Sequence, residues 1–407
     1  MGVPRLAAMS RRYRCVSVVV VLLALIAVPS ARASARSRAA RRVPIGFVGT
    51  DVGTPLYPSS VASVDIAAQL RLMVASGVET IRVPFDWGSA QPYEYWTEVP
   101  PAKAHQFVDV DGLPTDFGPM DQLVDLAARY RLTVLPTVLD APTWDSVGYQ
   151  GAVDIPKSPY WYAQFMQALV QRYGPNGSFW SDHSPKVPIR MWQIWNEVNL
   201  SAFWPQHPSF AHTYVQLLQA ASQAIKAADT GATVVLAGLP NYSWVNLAQI
   251  YKVPGARSAF DVVAVHPYTR QPRGVLTILN RIRGVMDRSG DRRKPIVADE
   301  ISWPSSKGHT HITYRLDIGT TEAGQARDVS QAVSLLANNR VRLGLLGFYW
   351  FTWATYDRPD YPLFDFSGLV KYASGRFAAK PALSALRRTA LPVEGCARKG
   401  SVATACA

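Results

Sequence analysis

The sequence predicts an α/β protein built as a single (β/α)8 TIM barrel that is preceded by a signal peptide. Short apolar segments alternate with amphipathic helical segments through most of the 407 residues, the pattern of a parallel sheet with crossover helices. Some segments are apolar without interruption, such as residues 262–265, as expected of strands buried on both faces. A doubly wound open sheet is disfavoured, because no Gly-x-Gly-x-x-Gly turn follows the first strand.

Apolar periodicity and turn residues place the elements in order. The predicted strands cover residues 44–50, 79–83, 132–138, 189–195, 233–237, 261–265, 295–299 and 343–350. The predicted helices cover residues 63–76, 120–130, 160–173, 210–228, 274–288, 321–338 and 380–391. Helix 63–76, for example, has Ile66, Leu70 and Met73 on one face, the spacing of a buried helical stripe. We expect one catalytic domain over residues 43–391.

The first 33 residues have the pattern of an export signal. A basic segment from Arg5 to Arg14 precedes an apolar run over residues 16–28, which is too short to span a bilayer comfortably. Ala31-Arg32-Ala33 then offers small residues at the spacing that a signal peptidase requires. We expect cleavage after Ala33 and a secreted or cell-envelope protein. A retained membrane anchor is the alternative.

The chain is strongly basic before and after this cleavage. The formal net charge is +13, and cleavage would remove five arginines and no acidic residue, which leaves +8. Residues 34–42 form a predicted flexible basic arm. Such a charge favours association with an anionic cell wall or acidic glycans, although a solvated basic surface explains it equally well. No basic stripe interleaved with aromatic residues indicates nucleic acid, and we expect a monomer.

Two cysteines remain in the predicted mature chain, Cys396 and Cys406. An even pair in an exported protein predicts a disulfide, here a small loop within the tail over residues 392–407. The Cys-x9-Cys spacing is not that of a metal site, and no pair of histidines accompanies it. We expect no metal and no organic cofactor.

Two glutamates follow predicted strands and define the candidate site. Glu197 ends Ile194-Trp195-Asn196-Glu197, and Glu300 ends the apolar run that begins at residue 295. The carboxyl ends of barrel strands meet on one face, where active sites are built. Two carboxylates in one cleft are the minimum equipment for hydrolysing a glycosidic bond. One must be protonated, with a raised pKa, and the other ionised. A single glutamate at a strand end is more often only a salt-bridge partner, but a pair in this setting favours catalysis.

Further polar residues follow other strands and complete a predicted substrate site. Arg82, within the second strand, needs a buried anionic partner and would favour an ionised glutamate nearby. Asn196 can donate to a sugar 2-hydroxyl, and Tyr268 can donate to the nucleophile. His266 can bind a hydroxyl or tune the acid/base, although a lone histidine is more often structural.

Aromatic residues at strand ends are candidate platforms for sugar rings. Trp350 is expected to floor the subsite of the reacting sugar, because an indole ring can stack on the axial C–H face of a pyranose. Trp303 and Trp144 are further substrate-binding candidates, with core packing as the equal alternative.

These motifs resemble the clan of retaining glycoside hydrolases whose barrels carry both catalytic glutamates after strands four and seven. Trp195-Asn196-Glu197 is similar to the clan's acid/base motif, and Asp299-Glu300-Ile301-Ser302-Trp303 to its nucleophile motif. The strand-two arginine, His266-Pro267-Tyr268 and Trp350 resemble family 5, the cellulase family. The stretches 321–327, 356–360 and 366–370 resemble family 39-like enzymes acting on exopolysaccharide.

The resemblance implies double displacement through a covalent glycosyl-enzyme, with Glu197 as acid/base and Glu300 as nucleophile. Their carboxyl groups are then expected about 5–5.5 Å apart, whereas inverting enzymes need a wider gap. The predicted function is a secreted retaining hydrolase of a β-linked polysaccharide or oligosaccharide. A non-catalytic glycan-binding barrel and a cell-envelope transglycosylase with the same site are the alternatives.

Overall fold

The computed structural model describes residue 1 and residues 40–56, 64–148, 151–207, 209–310 and 317–407. The predicted signal peptide after residue 1 and most of the basic arm therefore lie outside the described residues. No helix within the described ranges is long and apolar enough to cross a membrane.

Strands and helices alternate along the described chain, as the apolar pattern predicts. The strands are β1 (Val48–Asp51), β2 (Thr80–Asp86), β3 (Val108–Val110), β4 (Leu113–Thr115), β5 (Thr133–Leu139), β6 (Met191–Ile194), β7 (Thr233–Val235), β8 (Val263–Val265), β9 (Ile296–Ile301), β10 (Leu345–Trp350), β11 (Ala354–Thr355), β12 (Val370–Ala373) and β13 (Arg376–Ala379). The helices are α1 (Ile66–Ala75), α2 (Trp87–Ala90), α3 (Gly118–Arg129), α4 (Pro159–Tyr173), α5 (Phe210–Ala228), α6 (Ser243–Tyr251), α7 (Pro272–Arg288), α8 (Glu322–Leu343) and α9 (Pro381–Val393).

Eight strands of the described chain form one parallel sheet in the order β7-β6-β5-β2-β1-β10-β9-β8. The remaining edges, near β7 and β8, are linked by two parallel bridges, Val235 to Val262 and Leu239 to Val265. These bridges close the sheet on itself. The predicted (β/α)8 barrel is confirmed.

The apolar core has two parts that the barrel wall separates. Inside the barrel, Leu135, Val235, Val297 and Tyr349 belong to a small cluster. A much larger cluster fills the layer between the sheet and the surrounding helices. Successive side chains of a strand point to opposite sides of the sheet. Of two neighbouring residues in a barrel strand, one therefore faces the helix layer and the other the barrel interior.

The predicted element boundaries agree with the structure for α4 and α5, whereas α8 continues five residues beyond its predicted end at residue 338, and several strands shift. Helix α5 covers residues 210–228 as predicted, whereas β2 continues three residues further, to Asp86. The short helix α6, the β3–β4 hairpin and the β11–β12–β13 sheet were not predicted. They lie in connections where local propensity is weak and tertiary contacts decide the conformation.

The C-terminal tail packs beneath the end of the barrel opposite the site. A disulfide joins Cys396 and Cys406, as predicted. Within its loop, the ammonium group of Lys399 is buried and lies 2.6 Å from Glu79 and 2.8 Å from Glu394. Burial and the nearby Glu79 raise the pKa of Glu394 to about 8. The disulfide thus closes the loop that carries Lys399, which lies beside the buried carboxyl groups of Glu79 and Glu394.

Candidate active site

Glu197 is presented by an irregular turn that follows β6. Trp195 and Glu197 have positive φ values of 68° and 45°, which non-glycine residues adopt rarely and mostly at functional sites. The backbone N–H of Glu197 donates to the carbonyl of Gly238, after β7, at 3.1 Å. The turn therefore directs the Glu197 carboxylate toward the barrel axis, 14% exposed.

Glu300 is presented by β9, which carries a bulge. Between the register positions Ala298 and Ile301, β9 has one residue more than the facing stretch of β10. A bulge changes the direction of the side chains that it contains. Asp299 and Glu300, the two residues in the bulge, both contact Arg82, although strict alternation would send one of them to the helix layer.

The guanidinium group of Arg82, on β2, contacts side chains on or directly after β1, β6 and β9 at the barrel mouth. Its Nε donates to the Gln193 amide oxygen at 2.7 Å, and its NH1 donates to Asp51 at 2.7 Å and to Glu300 at 2.8 Å. Its NH2 donates to the Asn196 amide oxygen at 2.7 Å. Because this contact occupies the Asn196 oxygen, the amide nitrogen is the group that Asn196 can offer to a ligand. The buried arginine thus has the anionic partners that the sequence requires.

His266 lies between the two glutamates, fully buried. Its Nδ1 is 2.8 Å from Glu197 Oε1 and 3.4 Å from Glu300 Oε2, and its Nε2 is 3.3 Å from Asp299 Oδ2. Burial opposes its protonation, but Glu300 and Asp299 raise the pKa of His266 well above its usual value. The ring nitrogens thus contact carboxyl groups on both sides, and Glu300 and Asp299 favour the protonated ring.

The two carboxyl groups of β9 titrate in opposite directions. Burial raises the pKa of Glu300, and the cations His266 and Arg82 only partly offset this effect. Burial acts in the same sense on Asp299, but there His266 and Arg82 prevail and lower its pKa. The hydroxyl of Tyr268 donates to Glu300 Oε2 at 2.7 Å, which favours the ionised form of Glu300. Asp299 is thus the more acidic of the two carboxyl groups, whereas Glu300 is buried among Arg82, His266 and Tyr268.

Oxygen atoms of Glu197 and Glu300 lie within 4.8 Å of each other, and both lie within that distance of a His266 nitrogen. Three such ligand atoms could hold a divalent cation. However, both Glu300 oxygens already accept hydrogen bonds, from Arg82 and Tyr268, and the Arg82 cation would repel a metal ion there. The donor set fits a proton-transfer site better than a metal site.

A cleft of about 250 Å³ opens on the β1, β2 and β10 side of the barrel mouth. Neither glutamate lines it, but Arg82, which does, donates to Glu300 at 2.8 Å. Polar groups of Asp51, Arg82 and Asn196 line it together with the ring of Phe351. The cleft combines an aromatic side chain with several hydrogen-bonding groups. This combination is typical of a small-molecule binding site.

Trp350 and Trp303, the predicted aromatic platforms, do not line the cleft; for Trp303, core packing was the equal alternative. Both side chains are buried in the helix-layer core, 0% and 1% exposed, and their rings pack 6.1 Å apart. Each indole N–H donates to a backbone carbonyl, of Ser367 and Thr269 respectively. Neither offers a ring face to a sugar, because alternation along β10 turns Trp350 outward. Phe351, one residue later, lines the cleft instead.

Trp144 is half-buried and packs edge-to-face against Trp87 and Trp161. Its indole N–H donates to the backbone carbonyl of Gln91 at 2.8 Å. Among the described residues it does not line the cleft. These contacts support the packing interpretation of Trp144.

Sequence reasoning brought Glu197, Glu300, Arg82 and His266 to one site and missed other members. Asp51 and Gln193 are both buried and both bonded to Arg82. Gln193 could have been predicted, because a polar residue within an apolar strand such as Met191–Ile194 needs a buried partner. Asp51 follows the first strand and could have been found by the strand-end rule that found the glutamates.

Comparison with solved structures confirms the fold. A family 39 glycoside hydrolase from Bacteroides cellulosilyticus WH2 superposes with a TM-score of 0.61 at 17% identity, over 87% of this chain and 64% of that one. A glucosidase from Croceicoccus marinus gives 0.60 at 13% identity, over 88% and 69%. A family 5 subfamily 18 glycoside hydrolase variant from Streptomyces cattleya, in complex with Manβ1-4GlcNAc, gives 0.59 at 16%, over 84% and 80%. No protein-family model matches the sequence, and the comparison with curated proteins gave no match.

Proposed function

We propose that the protein is a retaining glycoside hydrolase in which Glu300 is the nucleophile and Glu197 the acid/base. One observation carries the proposal: carboxylate oxygens from two different strand ends lie within 4.8 Å of each other at the barrel mouth. This closeness suits direct attack by one carboxylate, because inverting enzymes need room for a water between theirs. The glycosidases among the structural neighbours support a carbohydrate substrate.

In the first step, a Glu300 carboxylate oxygen attacks the anomeric carbon while the bond to the glycosidic oxygen breaks. The proton of the Glu197 carboxyl group passes to that departing oxygen. Arg82 and Tyr268 each hold one Glu300 oxygen, at 2.8 and 2.7 Å, so the carboxylate is oriented before the substrate arrives. The product of this step is a glycosyl ester of Glu300.

In the second step, water attacks the anomeric carbon and Glu197, now a carboxylate, accepts its proton. The ester bond breaks and Glu300 leaves as a carboxylate. The Asn196 amide nitrogen can donate to the sugar 2-hydroxyl, a contact that strengthens in the transition state. His266 holds the Glu197 carboxylate at 2.8 Å, which fixes the direction of the acid/base group.

The proposed substrate is a β-linked polysaccharide or oligosaccharide. Structural neighbours include a β-xylosidase from Caulobacter crescentus and fungal β-1,4-galactanases, enzymes of β-linked sugars. The open cleft and the aromatic Phe351 suit a pyranose ring. Export is proposed on the N-terminal pattern alone, and the mass of the protein recovered from culture medium would test cleavage after Ala33.

The test is product formation on a panel of β-glucans, xylans, mannans, galactans and bacterial exopolysaccharides. Glu300→Gln is expected to abolish turnover, because an amide cannot attack the anomeric carbon. Glu322→Gln, at an exposed helix start, is the matched control and should cleave like the wild type. The first product resolved by NMR should keep the anomeric configuration of the substrate.

Other outcomes would replace the proposal. Inverted product would refute double displacement. A polymer that binds equally to both forms and is cut by neither would identify a glycan-binding barrel. Transfer to an added acceptor in preference to water would identify a transglycosylase that uses the same residues.

A further inference from the structure

Asp51 ends the first strand of the barrel, and its carboxyl group is held firmly at the cleft. Its side chain is 9% exposed, and Oδ1 accepts from Arg82 NH1 at 2.7 Å. Its backbone carbonyl accepts from the Thr352 hydroxyl at 2.8 Å and from the Trp353 N–H at 3.0 Å. Both the backbone and one carboxyl oxygen are thus fixed.

The second oxygen of Asp51, Oδ2, makes no hydrogen bond within the described part of the chain. This atom is buried, although Asp51 lines the cleft beside Asn196 and Phe351. A buried polar atom without a partner costs about 1–3 kcal/mol. This cost is recovered when a ligand in the cleft supplies the missing hydrogen bond.

The position of Asp51 relative to the nucleophile identifies which part of a ligand it meets. Arg82 NH1 donates both to Asp51 and to Glu300, at 2.7 and 2.8 Å. Because the two carboxyl groups share one donor atom, they are immediate neighbours. A pyranose ring with its anomeric carbon at Glu300 would therefore have ring hydroxyl groups near Asp51.

The chemistry of the carboxyl group fits a sugar hydroxyl. Burial raises the pKa of Asp51 well above its usual value; Arg82 opposes this effect, and Glu300 and Asp299 add to it. A carboxyl group accepts a hydrogen bond in either form and also donates one when it is protonated. A hydroxyl group has the same two capacities, so the two groups are complementary.

We propose that Asp51 determines specificity in the subsite of the reacting sugar, where its Oδ2 forms a hydrogen bond with one ring hydroxyl. This inference rests on the proposed hydrolase function and adds a recognition residue to it. A site built to bind a hydroxyl rejects the analogue that lacks it, because its own polar group is then left without a partner. The enzyme should therefore discriminate strongly against one particular deoxy sugar.

The test is a cycle of enzyme variants and deoxygenated substrates. The wild type is first assayed on a panel of 2,4-dinitrophenyl β-glycosides, and the best substrate is then compared with its single-position deoxy analogues. One analogue should lose about 10- to 100-fold in kcat/KM with the wild type. With Asp51→Ala the same analogue should lose less than about threefold relative to its parent. Asp51→Asn should keep most of the discrimination, since an amide also donates and accepts.

Asp51→Ala also removes a hydrogen-bond partner of Arg82. That loss should lower kcat/KM for the parent glycoside and for its deoxy analogue alike, so the ratio of the two values reports recognition of the hydroxyl. Asp145→Asn is the matched control: Asp145 is also a buried carboxyl group with an unpartnered oxygen, and it does not line the cleft. It should discriminate like the wild type. Equal discrimination by Asp51→Ala and the wild type would overturn the inference while leaving the hydrolase intact. Failure of the wild type on every glycoside of the panel, with no retained glycosyl-Glu300, would overturn the proposed function and this inference together.

Discussion

One methyl group added at Gly238 should impair catalysis while the protein still folds. This glycine follows β7, and its carbonyl accepts the backbone N–H of Glu197 at 3.1 Å. A Cβ placed on Gly238 would lie 2.0 Å from His266 Nε2 and 2.7 Å from Asp299 Oδ2. Both side chains are buried, 1% and 0% exposed, so neither can turn into solvent.

The size of the effect follows from these distances. An ordinary contact begins near 3.4 Å, so His266 or the Gly238 turn must move by about 1.4 Å. Such a shift breaks the 2.8 Å hydrogen bond from His266 to Glu197 or displaces Glu197 itself. Misplacement by about 1 Å can cost about 100-fold in rate, and overpacking costs about 1–3 kcal/mol of stability.

The assay is kcat/KM on the best substrate together with the thermal melting temperature. Gly238→Ala should lower kcat/KM by about 100-fold and should still melt cooperatively. Gly284→Ala is the control, because Gly284 lies within helix α7 and its nearest neighbour is an arginine side-chain end at 3.3 Å. It should keep full activity and gain about 0.5–1 kcal/mol from helix propensity. Activity of Gly238→Ala within twofold of the wild type would refute the assigned role of the His266 contacts.

Three further predictions concern the nucleophile, the buried Glu394 and the disulfide of the C-terminal tail. Tyr268→Phe removes a hydrogen bond that favours ionised Glu300, so the acidic limb of kcat/KM should move up by about one pH unit. The pKa of Glu394 is raised from 4.5 to about 8 in the folded protein. Its contribution to the free energy of unfolding is therefore full below pH 4.5 and lost as the pH rises through 8. Urea denaturation of Glu394→Gln at a series of pH values should lack this decline. Replacing Cys396 and Cys406 by serine removes the tail cross-link and should lower the free energy of unfolding by about 2–4 kcal/mol, with kcat/KM unchanged.

Each of these predictions has an outcome that contradicts it. An acidic limb at the wild-type position in Tyr268→Phe would mean that the titrating group is not Glu300. Parallel urea profiles across pH for the wild type and Glu394→Gln would place the pH-dependence elsewhere. Loss of activity in the serine variant, without loss of folded protein, would show that the tail acts on the site.

The barrel was predictable because its signal is local and repeated. Each strand is a short apolar run and each helix an amphipathic one, so the alternation survives errors of a few residues at the boundaries. Helix α5 illustrates this, since its predicted and observed limits coincide. Glu197, Glu300, Arg82 and Tyr268 were found for a related reason: a parallel barrel brings all strand ends to one face, whatever the loops do.

Side-chain direction at the strand ends was decided by the tertiary structure. Trp350 and Phe351 are both aromatic and adjacent, and no sequence pattern says which of them faces the cleft. Pairing with β9 turns Trp350 into the helix layer and leaves Phe351 at the mouth. The bulge in β9 likewise allows Asp299 and Glu300 to contact the same arginine, because one extra residue overrides strict alternation.

The sequence by itself determined that a barrel forms and that two glutamates meet on one of its faces. Only the tertiary structure decided that Asp51 lines the cleft with one oxygen unpartnered among the described residues, and that Gly238 leaves room for the pair His266 and Asp299. These features arise between residues far apart in the chain, at distances of a few ångströms. Periodicity reports which face a residue occupies, whereas contacts of this kind depend on register, bulges and packing between strands.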